Sequence, residues 1–126
     1  MKIKLSSVFV EDQDKALKFY TEVLGFVKKT EVPVGDFKWL TVASQDREDL
    51  ELLLEPNANP PAKTYQKAIF AAGIPATQFY VDDVEKEHKR LETRGVSFRV
   101  KLTKAGPVTI AVFDDTCGNL IQLVQN

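Results

Sequence analysis

The first half of this chain is written again in its second half, 71 positions further on. Val8-Phe9-Val10-Glu11-Asp12 corresponds to Phe79-Tyr80-Val81-Asp82-Asp83, and Phe37-Lys38-Trp39-Leu40-Thr41-Val42 to Val108-Thr109-Ile110-Ala111-Val112-Phe113. Leu50-Glu51-Leu52 corresponds in the same way to Ile121-Gln122-Leu123. A chain built like this folds as two copies of one supersecondary unit. Each residue then has a twin against which its chemistry is judged.

Each copy reads as a strand, a helix and three more strands. Residues 3–10 are rich in β-formers, and Asp12 stands as N-cap before a pattern that puts Ala16, Phe19, Tyr20, Val23 and Leu24 on one helical face. Gly25 ends the helix by supplying a left-handed residue. Strand-like runs follow at about 26–32, 37–43 and 49–55, separated by Pro33-Val34-Gly35-Asp36 and by the polar stretch from Ser44 to Glu48. The second copy repeats the plan: strand 76–81, Asp83 as cap, helix 84–94 with Val84, His88 and Leu91 on one stripe, Gly95 as stop, and strands near 96–102, 108–113 and 119–125. Gly25 and Gly95 are 70 apart where the flanking strands are 71 apart, so the first helix is one residue longer.

The expected fold class is therefore α+β, with two tandem βαβββ modules in a single domain spanning 1–126. Module one covers about 1–55, a linker about 56–75 and module two about 76–126. Such a linker is longer than compact domains use unless it carries a helix or a lid. Residues 63–72 suit a helix with Tyr65, Ile69 and Phe70 as its apolar face.

Composition narrows the function classes. With 44% hydrophobic residues in 126, the chain can bury a core without disulfides or a structural metal. Its charges nearly cancel, at −1, so no basic field is available to hold nucleic acid. No apolar run approaches the ~20 residues of a membrane span. The start Met-Lys-Ile-Lys-Leu-Ser leads straight into strand pattern, and the lone Cys117 has no internal disulfide partner; both fit a cytoplasmic location.

Three segments together resemble the vicinal oxygen chelate superfamily, which includes glyoxalase I, bleomycin-resistance proteins, fosfomycin-resistance transferases and extradiol dioxygenases. They are Val10-Glu11-Asp12 leading into Lys18-Phe19-Tyr20-Thr21-Glu22-Val23-Leu24-Gly25-Phe26, then Tyr80-Val81-Asp82-Asp83-Val84, and last Phe113-Asp114-Asp115-Thr116-Cys117-Gly118-Asn119-Leu120-Ile121-Gln122-Leu123. The resemblance implies that the two modules form a curled mixed sheet around a cleft, usually in a homodimer. It leaves the chemistry open, because this scaffold hosts several reactions as well as pure binding. Metal-using relatives take one ligand from the first and one from the last strand of each module, and those positions here are Leu5, Glu51, Ala76 and Gln122. Aliphatic Leu5 and Ala76 have no lone pair to offer a cation, and one carboxylate with one amide falls short of the roughly three protein ligands of a catalytic zinc site. The resemblance thus implies no metal and no cofactor here, and it disfavours metal-dependent glyoxalase or dioxygenase activity.

Period-two alternation sends Glu51 and Gln122 to the sheet face opposite the helices. Ser7 and Phe9 share that face with Leu5; Gln78 and Tyr80 share it with Ala76; Phe37, Trp39 and Thr41 join from the third strand. The expected ligand-binding set is Glu51, Gln122, Ser7, Phe9, Phe37, Trp39, Gln78 and Tyr80, an aromatic lining with few polar groups that suits a small organic ligand. Glu51 is also the candidate catalytic residue, since a carboxylate among apolar neighbours suits a general base. The first reading is a metal-free, homodimeric small-molecule binder. The alternative is a lyase, isomerase or dioxygenase-type enzyme using Glu51 as base or as part of an incomplete divalent-metal site. A third reading is a dimeric interaction module. His88 reads as a packed structural histidine and Cys117 as a turn residue; Lys28, Arg99 and Lys101 read as a solvated sheet edge or as contacts for an anion.

Overall fold

The computed structural model describes all residues, Met1–Asn126, and they divide into two compact units, Met1–Thr64 and Tyr65–Asn126. Module one runs β1 (Leu5–Val10), α1 (Gln13–Lys18), a π-helical turn (Phe19–Val23), β2 (Val27–Val34), β3 (Phe37–Ser44) and β4 (Arg47–Pro56). Its four-stranded sheet has the order β1-β4-β3-β2, with β1 parallel to β4 and the other pairs antiparallel. Helix α2 (Pro60–Ala71) follows, and module two runs β5 (Thr77–Tyr80), α3 (Val84–Thr93), β6 (Phe98–Ala105), β7 (Val108–Asp114) and β8 (Leu120–Gln125). Its sheet repeats the plan as β5-β8-β7-β6. No helix is long and apolar enough to cross a membrane.

The caps act as the sequence implies. Asp12 accepts the Lys15 N–H and Asp83 the Lys86 N–H, each at 3.0 Å, satisfying donors that a helix start leaves unpaired. Gly25 and Gly95 take φ of +91° and +84°, where a Cβ is strained. On the helix side of module one, Val8, Val10, Ala16, Tyr20, Leu40, Val42 and Leu54 are buried, with Phe19 edge-on to Tyr20 and Phe26 stacked on it. Module two buries Val84, Leu91, Ala111, Phe113, Ile121 and Leu123 in the same way. His88 lies with them, edge-on to the Phe98 ring at 4.4 Å. Leu50 does not join the helix-side core and is exposed near the β3–β4 turn.

The mismatch of 70 against 71 has a structural form. The extra residue of the first helix is taken up as the π-turn Phe19–Val23, whose wider i→i+5 turn holds one residue more, as in the 3.1 Å bond from Leu24 N to the Phe19 carbonyl. Strand β6 then restores the count with a register shift between Val100 and Thr103: Thr30 and Val100 pair with the twins Thr41 and Val112, whereas Val32 and Thr103 pair with the twins Trp39 and Ile110.

Helix α2 begins three residues earlier than residue 63, because Pro60 and Pro61 fit a first turn whose N–H groups need no partner. Its packed face also differs from expectation. Ala62 and Gln66 are buried, Ile69 and Phe70 are half-buried, and Tyr65 is exposed. Gln66 Nε2 donates to the Cys117 carbonyl (3.3 Å) and to Asn119 Oδ1 (3.1 Å). The turn it grips is organised by buried Asp115, whose carboxylate accepts from Cys117 N, Asn119 N and Asn119 Nδ2. Cys117 is buried inside this turn.

Candidate functional site

Pairing register determines which residues share each helix-free sheet face. In module one, β1 presents Leu5, Ser7 and Phe9 opposite Glu51, Leu53 and Glu55 of β4. Strand β3 adds Thr41, Trp39 and Phe37, paired in turn with Thr30, Val32 and Val34 of β2. All eight expected positions fall at sites the register defines, Glu51, Ser7, Phe9, Phe37 and Trp39 on this face and Gln78, Tyr80 and Gln122 on its counterpart in module two, and Glu51 is the polar centre of the first.

Thr41 Oγ1 lies 2.6 Å and Thr30 Oγ1 3.4 Å from the same carboxylate oxygen, Glu51 Oε1. Both hydroxyls can donate, the first strongly by its length. The other oxygen, Oε2, makes no hydrogen bond or ion pair and is not sealed from solvent. Toward the β2–β3 turn the face becomes apolar. Trp39 and Phe37 are 43% and 44% exposed, and their partners Val32 and Val34 are exposed beside them.

Module two has a neutral version of this arrangement. Gln122 Nε2 donates to Gln78 Oε1 at 2.8 Å, and Tyr80 is 65% exposed two residues along β5. The hydroxyls of module one are replaced by Val112 and its partner Val100. One expectation is corrected here. Ala76 precedes β5, and the residue paired with Gln122 is Gln78, whereas in module one Leu5 pairs with Glu51. The parallel pair of module two is thus slipped by two residues relative to the repeat.

These donors do not fit a catalytic divalent metal. Within module one, Glu51 is flanked by two hydroxyls and Leu5; within module two, the two amides are already bonded to each other. No group of three or more His, Cys, Asp or Glu side chains gathers to hold an ion. His88 stays in its own module's core, with Nε2 3.6 Å from Glu92 Oε2. Lys28 pairs with Glu31, and Arg99 lies over the Phe70 ring at 5.1 Å.

The sequence reading missed Gln13. This buried side chain at the start of α1 donates to the carbonyls of Lys38 (2.8 Å) and Leu54 (2.9 Å) and accepts the Lys38 N–H (3.1 Å). It ties α1 to β3 and β4 and so steadies the sheet that carries Thr41 and Glu51. Its twin Val84, apolar and on the buried stripe, was the available signal.

A family model described as the Glyoxalase/Bleomycin resistance protein/Dioxygenase superfamily matches residues 2–123. The YurT protein of Bacillus subtilis (strain 168) is 62% identical over 126 residues, covering 99% of each chain. Among solved structures, UcmS2 superposes with a TM-score of 0.87 at 29% identity, covering 100% of this chain and 98% of its own. TnmS3, an antibiotic binding protein from Streptomyces sp. CB03234, superposes with a TM-score of 0.77 at 30% identity, covering 99% and 95%.

Proposed function

Because the chain belongs to the glyoxalase/bleomycin resistance protein/dioxygenase superfamily, we propose that it binds a small organic molecule on the helix-free sheet face of module one, without a metal ion. The observation that carries this reading is the carboxylate of Glu51, held through Oε1 by Thr41 and Thr30 and left available at Oε2 beside exposed Trp39 and Phe37. Exposed aromatic surface next to one fixed polar group is the usual make-up of a small-molecule site. The likeness to an antibiotic binding protein at 30% identity supports the same ligand class. Ser7 and Phe9 border this face, and Gln78, Tyr80 and Gln122 form its neutral counterpart in module two. The proposal takes the protein to act as a homodimer in the cytoplasm, as the family resemblance and the lone Cys117 suggest.

Elemental analysis of protein purified without added ions, with thermal-shift titrations of nickel, zinc, manganese and ferrous iron, tests the metal-free part. Near-stoichiometric metal, or strong stabilisation by one ion that disappears in Glu51→Ala, would overturn it and favour an enzyme. The binding part is tested by fluorescence of Trp39, the chain's only tryptophan, against a panel of aromatic antibiotics. Saturable quenching by at least one compound is expected, and its absence across the panel argues against the reading.

A further inference from the structure

We propose that the molecule bound on module one is an amphipathic organic cation, with a protonated nitrogen on Glu51 Oε2 and a flat apolar body along Trp39 and Phe37. This rests on the small-molecule reading of the same face and names the chemistry that the face selects.

The argument begins with charge. From Glu51 onward the paired positions of this face carry Glu51 and Glu55 and no lysine or arginine, and Arg47 at the β3–β4 turn is bonded to Asp49. The basic side chains of β2 and β3 are engaged elsewhere: Lys28 with Glu31, Lys38 with Glu31 and Asp14, and Lys29, unpaired at a bulge, with Glu48. No cation of the protein itself therefore reaches Glu51 Oε2. Thr41 and Thr30 both aim their hydroxyls at one oxygen of this carboxylate. They thereby occupy Oε1, which leaves a single acceptor oxygen presented to a ligand. A ligand that offered only acceptors would face an unpaired negative charge there, whereas an N⁺–H donor forms a charge-assisted bond.

Shape supplies the second half. From Thr41 the paired rows Val32/Trp39 and Val34/Phe37 follow on the same face, a strip of about 13 Å at the usual rise per strand residue. An aromatic body lying on this strip covers Trp39 while its charged head reaches Glu51, and the indole face also favours a nearby cation. Module two is the internal control, since Gln122 stands for Glu51 and Val112 for Thr41.

Calorimetric titration at neutral pH with three matched probes tests this: 2-(aminomethyl)naphthalene as the cation, 2-naphthylmethanol as the neutral form and 2-naphthoate as the anion. The amine is expected to bind about tenfold tighter than the alcohol, the ratio one charge-assisted bond supplies over a neutral one, with the carboxylate weakest. Glu51→Gln, nearly isosteric and checked for fold by circular dichroism, should bring amine and alcohol together. Trp39→Ala should weaken amine and alcohol alike. Equal binding of amine and alcohol to the native protein, or a preference that survives Glu51→Gln, overturns the cation assignment and leaves small-molecule binding in place. Absence of binding by all three probes overturns the cation assignment; if the antibiotic panel also fails, the underlying reading falls with it.

Discussion

The two modules make the same contact between helix start and sheet with opposite polarity. In module one the side chain of Gln13, first residue of α1, reaches the backbone of Lys38 and Leu54. In module two the helix residue is apolar Val84, and Gln125, the twin of Leu54, reaches back to the Val84 N–H at 2.8 Å. The same exchange marks the helix-free faces, where Glu51 with two threonine hydroxyls corresponds by the repeat to Gln122 with two valines. Duplication therefore preserved the positions of contacts and not the residues making them. Module one carries a carboxylate at this position and module two a neutral amide.

The largest break in this comparison comes from writing module two's residue into module one. Gln13→Val removes three hydrogen bonds and strands two carbonyls and an N–H under α1. At roughly 1 kcal/mol for each buried group left unpaired, the loss should be about 3 kcal/mol in denaturant unfolding. The reciprocal change, Gln125→Leu, frees one N–H at a helix start that water can reach, and about 1 kcal/mol is expected. Equal losses would show that the two contacts are energetically equivalent after all.

What the sequence could and could not reveal follows the same division between local and distant causes. The Asp12 and Asp83 caps, the Gly25 and Gly95 stops and the faces of β1, β3, β4, β5 and β8 are local and were legible, apart from Leu50, which alternation puts on the helix side and which is exposed. A register slip of one residue would have exchanged the faces, but the two-residue slip that sets Gln78 against Gln122 keeps every face intact, so alternation is blind to it. Gln66 was missed because its partners lie 51 and 53 residues away, and no helical period records such a contact. In the candidate site, Glu51, Trp39 and Phe37 could be picked out by parity. The grip of Thr41 and Thr30 on one carboxylate oxygen needed the strand pairing itself.

A smaller change sharpens the contrast between the two faces. Thr41→Val gives module one the residue that module two has at Val112, and it removes the 2.6 Å contact to Glu51 Oε1 while leaving the longer one from Thr30. About 1 kcal/mol of stability should be lost, and the amine-over-alcohol preference described above should fall without vanishing, since Oε2 still carries charge. Thr30→Val should cost less, in keeping with its 3.4 Å separation. If Thr41→Val left both stability and preference unchanged, the hydroxyl would have no part in holding the carboxylate.

The smallest effect lies on the helix side of module one, where Glu31 sits between Lys28 and Lys38, and Lys38 also reaches Asp14. Hydrogen bonds from Lys28 and then Lys38 draw the Glu31 carboxyl from 4.5 down to about 2. A carboxyl lowered by folding stabilises the native state above its unfolded value and loses that contribution as pH falls through the folded one. The network should therefore act fully above pH 4.5 and fade between there and about pH 2. Because its members are open to solvent, the effect should be slight and weakened by salt. Unfolding midpoints of native protein and Glu31→Gln, compared from pH 6 to pH 2 at about 20 mM and 500 mM salt, should converge on acidification and lie closer together at the higher salt. In module two the carboxylate of Glu87 meets one cation, Arg90, where Glu31 meets two, so Glu87→Gln should show a smaller gap at every pH.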